Sequence, residues 1–156
     1  HVKKQPKNQK IRIAPKKEYD SFRKYFAFSC VDLVIFDGKS VLLTKRTRNP
    51  YKGYWHLPGS MIHKTEKMTD TVKRSAKEEL NLDVKIEKFV GVYESLDSFR
   101  HDVSNGFVVS IKGGQLKTDH QSSDLRFFAR LPTKIIPHHR MLIKDALRGA
   151  RNNSHA

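Results

Sequence analysis

Cysteine is almost absent from this 156-residue chain. Cys30 stands alone, which excludes an intrachain disulfide and a cysteine-rich metal centre. A reducing compartment is the default for such a chain, and a cytoplasmic location is the expectation. Long apolar runs are also missing. The longest, Phe26 to Phe36, is interrupted by Asp32 and is too short to span a bilayer, so neither a transmembrane helix nor a membrane partner is expected. Negative charge is scarce as well: 16 acidic residues face 31 Lys and Arg, for a formal charge of +15. That excess favours polyanions, among them nucleotide phosphates, nucleic acid and anionic surfaces. The chain opens on His1, which leaves a trimmed or processed start open.

The basic residues are densest at the start. Residues 1–24 carry nine Lys and Arg against Glu18 and Asp20, and read as a flexible basic arm that does not fold by itself. It lacks the interleaved aromatics of a single-strand-binding groove, so a solubilising tail stands beside nucleic-acid contact as its reading. The remainder has the length of one domain, placed at residues 25–150, with 151–156 as a disordered tail.

Apolar runs between turn signals, with partial two-residue alternation at Val84, Ile86 and Phe89-Val90 and β-formers at 107–111, predict strands at 26–36, 40–46, 84–96, 104–112 and 125–129. Residues 66–80 predict a helix, with Met68, Val72, Ala76 and Leu80 four apart on one apolar stripe. A terminal helix is expected at 138–149, contacting the core through Met141, Ile143, Leu147 and Ala150. Strands around one internal helix, closed by another, point to a mixed α/β sandwich.

The chemistry concentrates between Leu57 and Leu82. Pro58-Gly59 marks a turn, and Ser75, Glu78 and Glu79 fall three and four residues apart on one helix face. A hard cation such as Mg²⁺ takes carboxylate, carbonyl and water oxygens, usually with substrate phosphate. Glu78 and Glu79 beside a carbonyl of the glycine turn could supply such oxygens. Taken alone, Lys77-Glu78-Glu79 is equally a solvated helix face.

Asp32 lies in an apolar strand, where an unpaired charge is costly. It either pairs with Arg46 as scaffolding or faces a cleft. Arg46 and Arg48 could clamp diphosphate oxygens, or be surface charges. Tyr51, Tyr54 and Trp55 could stack on a base or simply pack. His138-His139-Arg140 shows no partner at metal-ligand spacing in the sequence.

The run from Leu57 to Leu82 resembles the Nudix box. That pattern is Gly, five residues, Glu, seven residues, Arg-Glu, an aliphatic, any residue, Glu-Glu, any residue, Gly, an aliphatic. Glu66, Arg74, Ala76, Glu78, Glu79 and Leu82 match in register, while Ser60, Ser75 and Asn81 replace the first glycine, the first glutamate after the arginine and the late glycine. Residues Val31 to Ile35, Leu43 to Pro50 and Gly53 to Trp55 resemble the lead-in of GDP-mannose mannosyl hydrolases, with the likeness covering roughly residues 28–147.

The resemblance implies a Nudix-type α/β/α sandwich with a mixed sheet, the Nudix loop-helix and a C-terminal helix. It implies a Mg²⁺-dependent hydrolase, with Mn²⁺ as a substitute, acting on a nucleoside diphosphate linked to another moiety such as GDP-mannose or ADP-ribose. The metal set it implies is Gly59, Glu78, Glu79 and Gln121. The substrate set is Asp32, Arg46, Arg48 and Tyr54. Arg46, Glu78, Glu79 and His120 are the expected catalytic groups. Ser122 stands where the branch carries its general-base histidine and Met61 where it carries an arginine, so His120, His101 or another late-loop group would have to serve as base. Both bonds stay open: attack at the anomeric carbon releases nucleoside diphosphate, and attack at phosphorus releases sugar phosphate. Related enzymes often dimerise, so a homodimer is possible. The alternative is a catalytically weak Nudix-fold module that binds nucleotide or RNA.

Overall fold

Seven strands and three helices make up the computed structural model, in which residues 13–116 and 124–153 are described. The strands are β1 (Phe28–Asp37), β2 (Ser40–Lys45), β3 (Trp55–His56), β4 (Gly59–Met61), β5 (Leu82–Leu96), β6 (His101–Gly114) and β7 (Leu125–Phe128). The helices are α1 (Lys16–Tyr25), α2 (Met68–Ser75) and α3 (Pro137–Asn153). The strand order is β3-β2-β1-β6-β5, with β4 paired to β1 and β7 to β2. β1 runs parallel to β6 and antiparallel to β2 and β4, so the sheet is mixed as expected.

Strand alternation divides β1 between two cores. Val31, Leu33 and Ile35 point to one face and meet Val72, Ala76 and Leu80. Val34 points to the other, where Leu142, Ile143 and Ala146 of α3 cover it together with Trp55 and Leu57. Full burial of each Val or Leu side chain contributes about 1.5–3 kcal/mol. The same alternation puts Asp32 on the α3 face, a polar group within an apolar layer.

The stripe expected on the internal helix is the one buried, and on the terminal helix Ile143 and Leu147 pack into the core as expected, with the Ala150 side chain outside those described. Met141 is 61% exposed and Leu142 takes the core position instead. Three adjacent apolar residues, 141 to 143, leave the helical phase undecided; His139, Leu142, Ile143, Ala146 and Leu147 form the stripe that faces the sheet.

α1 lies inside the segment expected as a flexible arm. Its Tyr19 stacks on Phe28 at 5.4 Å, Phe22 tilts against the same ring at 5.0 Å, and Arg23 donates to the Phe99 carbonyl at 2.8 Å. These contacts to β1 and the β5–β6 turn, rather than helix propensity, hold it. Among the described residues no helix is long and apolar enough to cross a membrane.

Candidate active site

Leu57 and Pro58 turn the chain from β3 into β4, which opens on Gly59. Asp32 pairs with Gly59 of β4 on one side and Gly106 of β6 on the other. A Cβ on Gly59 would run into the Val31 carbonyl oxygen and Asp32 Oδ1, and one on Gly106 would meet Leu142 at 2.5 Å. Glycine on both sides therefore makes room for the carboxylate and for the helix above it.

After β4 the chain loops to α2, and Glu66 pins that loop. Its side chain is 3% exposed and accepts two bonds from Arg74, from Nε at 2.7 Å and Nη2 at 3.0 Å. The Thr71 hydroxyl and His63 N–H add to these. Burial opposes the charge, but the Arg74 hydrogen bonds lead the effects that outweigh it, and Glu66 is held down at about 2. Arg74 also donates to the Met61 carbonyl and to Glu78 at 3.2 Å, joining β4, loop and helix.

Beyond Ser75 the helix widens into a single π-type turn, Ala76–Leu80, which carries Glu78 and Glu79. Asn81 ends it in the left-handed region at φ 57°. This position is the late glycine of the box, and Asn is among the side chains that tolerate that conformation. The other two departures meet each other: Ser60 Oγ and Ser75 Oγ lie 2.9 Å apart, with Ser75 fully buried.

Glu79 accepts from the Gly59 N–H at 3.3 Å and from the Ser60 hydroxyl at 3.2 Å. Although the residue keeps exposed surface, protein crowds its carboxylate. Burial pushes it up, the bonds from Ser60 and Gly59 pull back, Asp32 adds repulsion, and the result is about 7. Asp32 is held below the ordinary range: burial pushes up, and His139 and Ser104 outweigh it.

A cleft of about 410 Å³ opens here, lined by Asp32, Arg46, Gly59, Ser60, Glu78 and His139 among others. It shares Arg46 and Arg100 with a neighbouring pocket of about 270 Å³ that Arg48, Tyr51 and Tyr19 of α1 also line. Thus Asp32 faces the cleft and does not pair with Arg46, whose Nε donates to the Pro50 carbonyl at 2.8 Å. Tyr54 packs edge-on against Tyr51 at 5.3 Å. His101 lies 3.6 Å from Glu94 across the β5–β6 pair. His120 and Gln121 fall outside the described residues.

His139 was not singled out as a site residue by the sequence, and it occupies the centre of this face. The Leu57 N–H donates to its Nδ1 at 2.9 Å, and its Nε2 stands 3.3 Å from Asp32 Oδ2. Its place on the apolar stripe of α3 was the available signal. Asp32, His138 and His139 each offer one ligand atom within 4.8 Å of the others. In this arrangement, however, the bond to Nδ1 leaves the ring proton on Nε2, with no lone pair there for a cation. Burial leads in lowering His138 to about 4, and likewise in lowering His56 to about 4.

A family model, the NUDIX domain, matches residues 27–144. The chain belongs to the Nudix family. It is 34% identical over 142 residues to an ADP-ribose pyrophosphatase of Methanocaldococcus jannaschii, covering 88% of this chain and 83% of that protein. It is likewise 34% identical over 123 residues to the low-salt glycan biosynthesis protein Agl8 of Haloferax volcanii, covering 73% and 78%. Among solved structures, a MutT Nudix hydrolase from Burkholderia pseudomallei superposes with a TM-score of 0.63 at 22% identity, over 76% of this chain and 97% of that one. The chain is a Nudix hydrolase with the α/β Nudix fold, and α2 with its widened last turn is the Nudix helix.

Proposed function

We propose that this Nudix hydrolase is Mg²⁺-dependent, with Mn²⁺ able to substitute, and cleaves a nucleoside diphosphate linked to a sugar, of the GDP-mannose or ADP-ribose type. The observation that carries the reading is Glu79: a carboxyl at the glycine turn, pushed up to about 7 by burial and by the neighbouring Asp32. A cluster of oxygens short of positive charge suits a hard divalent cation. Gly59, Glu78 and Glu79 would hold it, with Gln121 as a further oxygen donor. When bound, the cation supplies Lewis acidity toward diphosphate oxygens.

The rest falls to the chain's own side chains. Arg46, at the junction of the two cavities, would offset charge on the diphosphate, with Arg48 beside it. Asp32 would accept a hydrogen bond from a sugar hydroxyl. The neighbouring pocket is the space for the nucleoside, with Tyr51 in its wall and Tyr54 packed edge-on against Tyr51. A relative named ADP-ribose pyrophosphatase supports this substrate class, since ADP-ribose is itself a nucleoside diphosphate joined to a sugar.

The test is Mg²⁺-dependent product release from a panel of nucleotide sugars, with Glu79→Gln as the control. Turnover that requires the metal and Glu79 supports the reading; no turnover on any panel member, with no Mn²⁺ bound, overturns it. Hydrolysis in ¹⁸O-labelled water then names the bond, by label in the phosphate or in the sugar.

A further inference from the structure

We propose that His139 is a positioning residue for hydrolysis, which uses its two ring nitrogens to hold the Leu57–Gly59 turn and the Asp32 carboxylate in fixed relation. The inference rests on the proposed cation site at Gly59 and assigns that site a support from the far end of the chain. His139 arrives on the first turn of α3, and only 6% of it is exposed. The helix is seated by Leu142 over Gly106, and the imidazole is thereby inserted between β1 and the β3–β4 turn.

Each nitrogen has a separate partner. Nδ1 accepts the Leu57 N–H at 2.9 Å, two residues before Gly59, so it fixes the main chain leading into the turn. That bond also fixes the tautomer, because a nitrogen that accepts carries no proton and the ring's proton is left on Nε2. Nε2–H then faces Asp32 Oδ2 at 3.3 Å. The contact is electrostatic more than a well-aligned hydrogen bond, and among the described residues Oδ2 receives no aligned donor. A buried carboxylate oxygen in that condition keeps capacity for one more donor. Oδ2 is itself covered from the cleft that Asp32 lines. Asp32 Oδ1, meanwhile, packs against Gly59. His139 thus touches the turn from one side and the acid that braces it from the other.

The amide side chains separate the two tasks. Asn places an acceptor where Nδ1 is and cannot reach Asp32; Gln places a donor where Nε2 is and loses the acceptor for Leu57. His139→Asn is expected to keep Mn²⁺ affinity, read by electron paramagnetic resonance on Mn²⁺ alone, within about twofold. Its KM for the nucleotide sugar should rise about tenfold as Asp32 loses its anchor. His139→Gln should do the converse, weakening Mn²⁺ about tenfold with a smaller change in KM. Asp32→Asn should raise KM by the same factor as His139→Asn, and the double variant should add nothing.

Equal losses in both His139 variants, losses that only follow their melting temperatures, or additivity with Asp32→Asn overturn the inference. The wild-type protein supplies a readout that does not depend on a variant folding: ¹⁵N shifts of the His139 ring must show a proton on Nε2, and a proton on Nδ1 overturns it. A wild-type protein that binds no Mn²⁺ and hydrolyses nothing removes the hydrolase reading itself. Wild-type binding and turnover with the two variants indistinguishable removes only the role of His139.

Discussion

Glu66 and Glu79 stand thirteen positions apart in one loop-helix unit and have opposite surroundings. Glu66 has its own cation, two short bonds from Arg74, and is held near 2. Glu79 accepts from a main-chain N–H and a hydroxyl, with Arg74 acting on it without a direct bond, and burial followed by the repulsion of Asp32 raises it to about 7. The same residue type therefore serves two ends. The first carboxylate is neutralised within the fold and fixes the loop. The second leaves a need that the protein does not meet, which is the mark of a group that meets something from outside.

The comparison breaks most severely at Arg74. Arg74→Met strands the buried Glu66 and should lower the unfolding free energy by about 3 kcal/mol in urea denaturation. An unchanged midpoint would mean that Glu66 does not depend on its cation. Glu79→Gln should have the opposite profile, lowering kcat/KM on the active nucleotide sugar by about 100-fold, or about 2.7 kcal/mol in transition-state terms, at undiminished melting temperature. Loss of both activity and stability together would place the two glutamates in one class.

Acid should sharpen the contrast on the Glu66 side. Its folded value lies below its unfolded one, so the stability it contributes is complete above about 4.5 and is lost as pH falls toward about 2. Denaturation curves of the wild type and Glu66→Gln should therefore converge over that window; curves that stay parallel would refute the assignment. The smallest effect belongs to Ser75→Ala, which removes the bond to Ser60 and should cost about 1 kcal/mol. Calorimetry on this variant reads how much the paired serines support the wall beside Glu79.

Much of the Glu66 side could be read directly from the chain. Glu66 and Arg74 are eight apart, and Val72, Ala76 and Leu80 carry a periodicity that one helix satisfies locally. The Glu79 side was harder because its neighbours are remote. Glu78 and Glu79 stand out as a pair, but Glu79 is raised first by burial that only the fold supplies, then by an acid in β1, and the histidine beside this acid is in α3. The apolar run 141 to 143 leaves the helical phase of α3 ambiguous, so the inward direction of His139 is not legible from the chain. α1 escaped notice for a related reason: its Tyr19 and Phe22 look scattered among lysines until Phe28 gathers them. Ser60 and Ser75 each look like a defect alone, and only their meeting at 2.9 Å explains why both are tolerated.

The bare positions that flank Asp32 carry a consequence for variation. Residues 59, 32 and 106 lie side by side across three strands, and the outer two have no space for even one methyl group. In a saturation library these two sites should be blank for every substitution, whatever its polarity; a shorter residue at 32 should leave 59 closed, because the Val31 main-chain carbonyl stays in the way, while a shorter residue at 142 should relax the constraint at 106. Such asymmetric rescue would reveal which glycine yields to a neighbouring main chain and which to the helix.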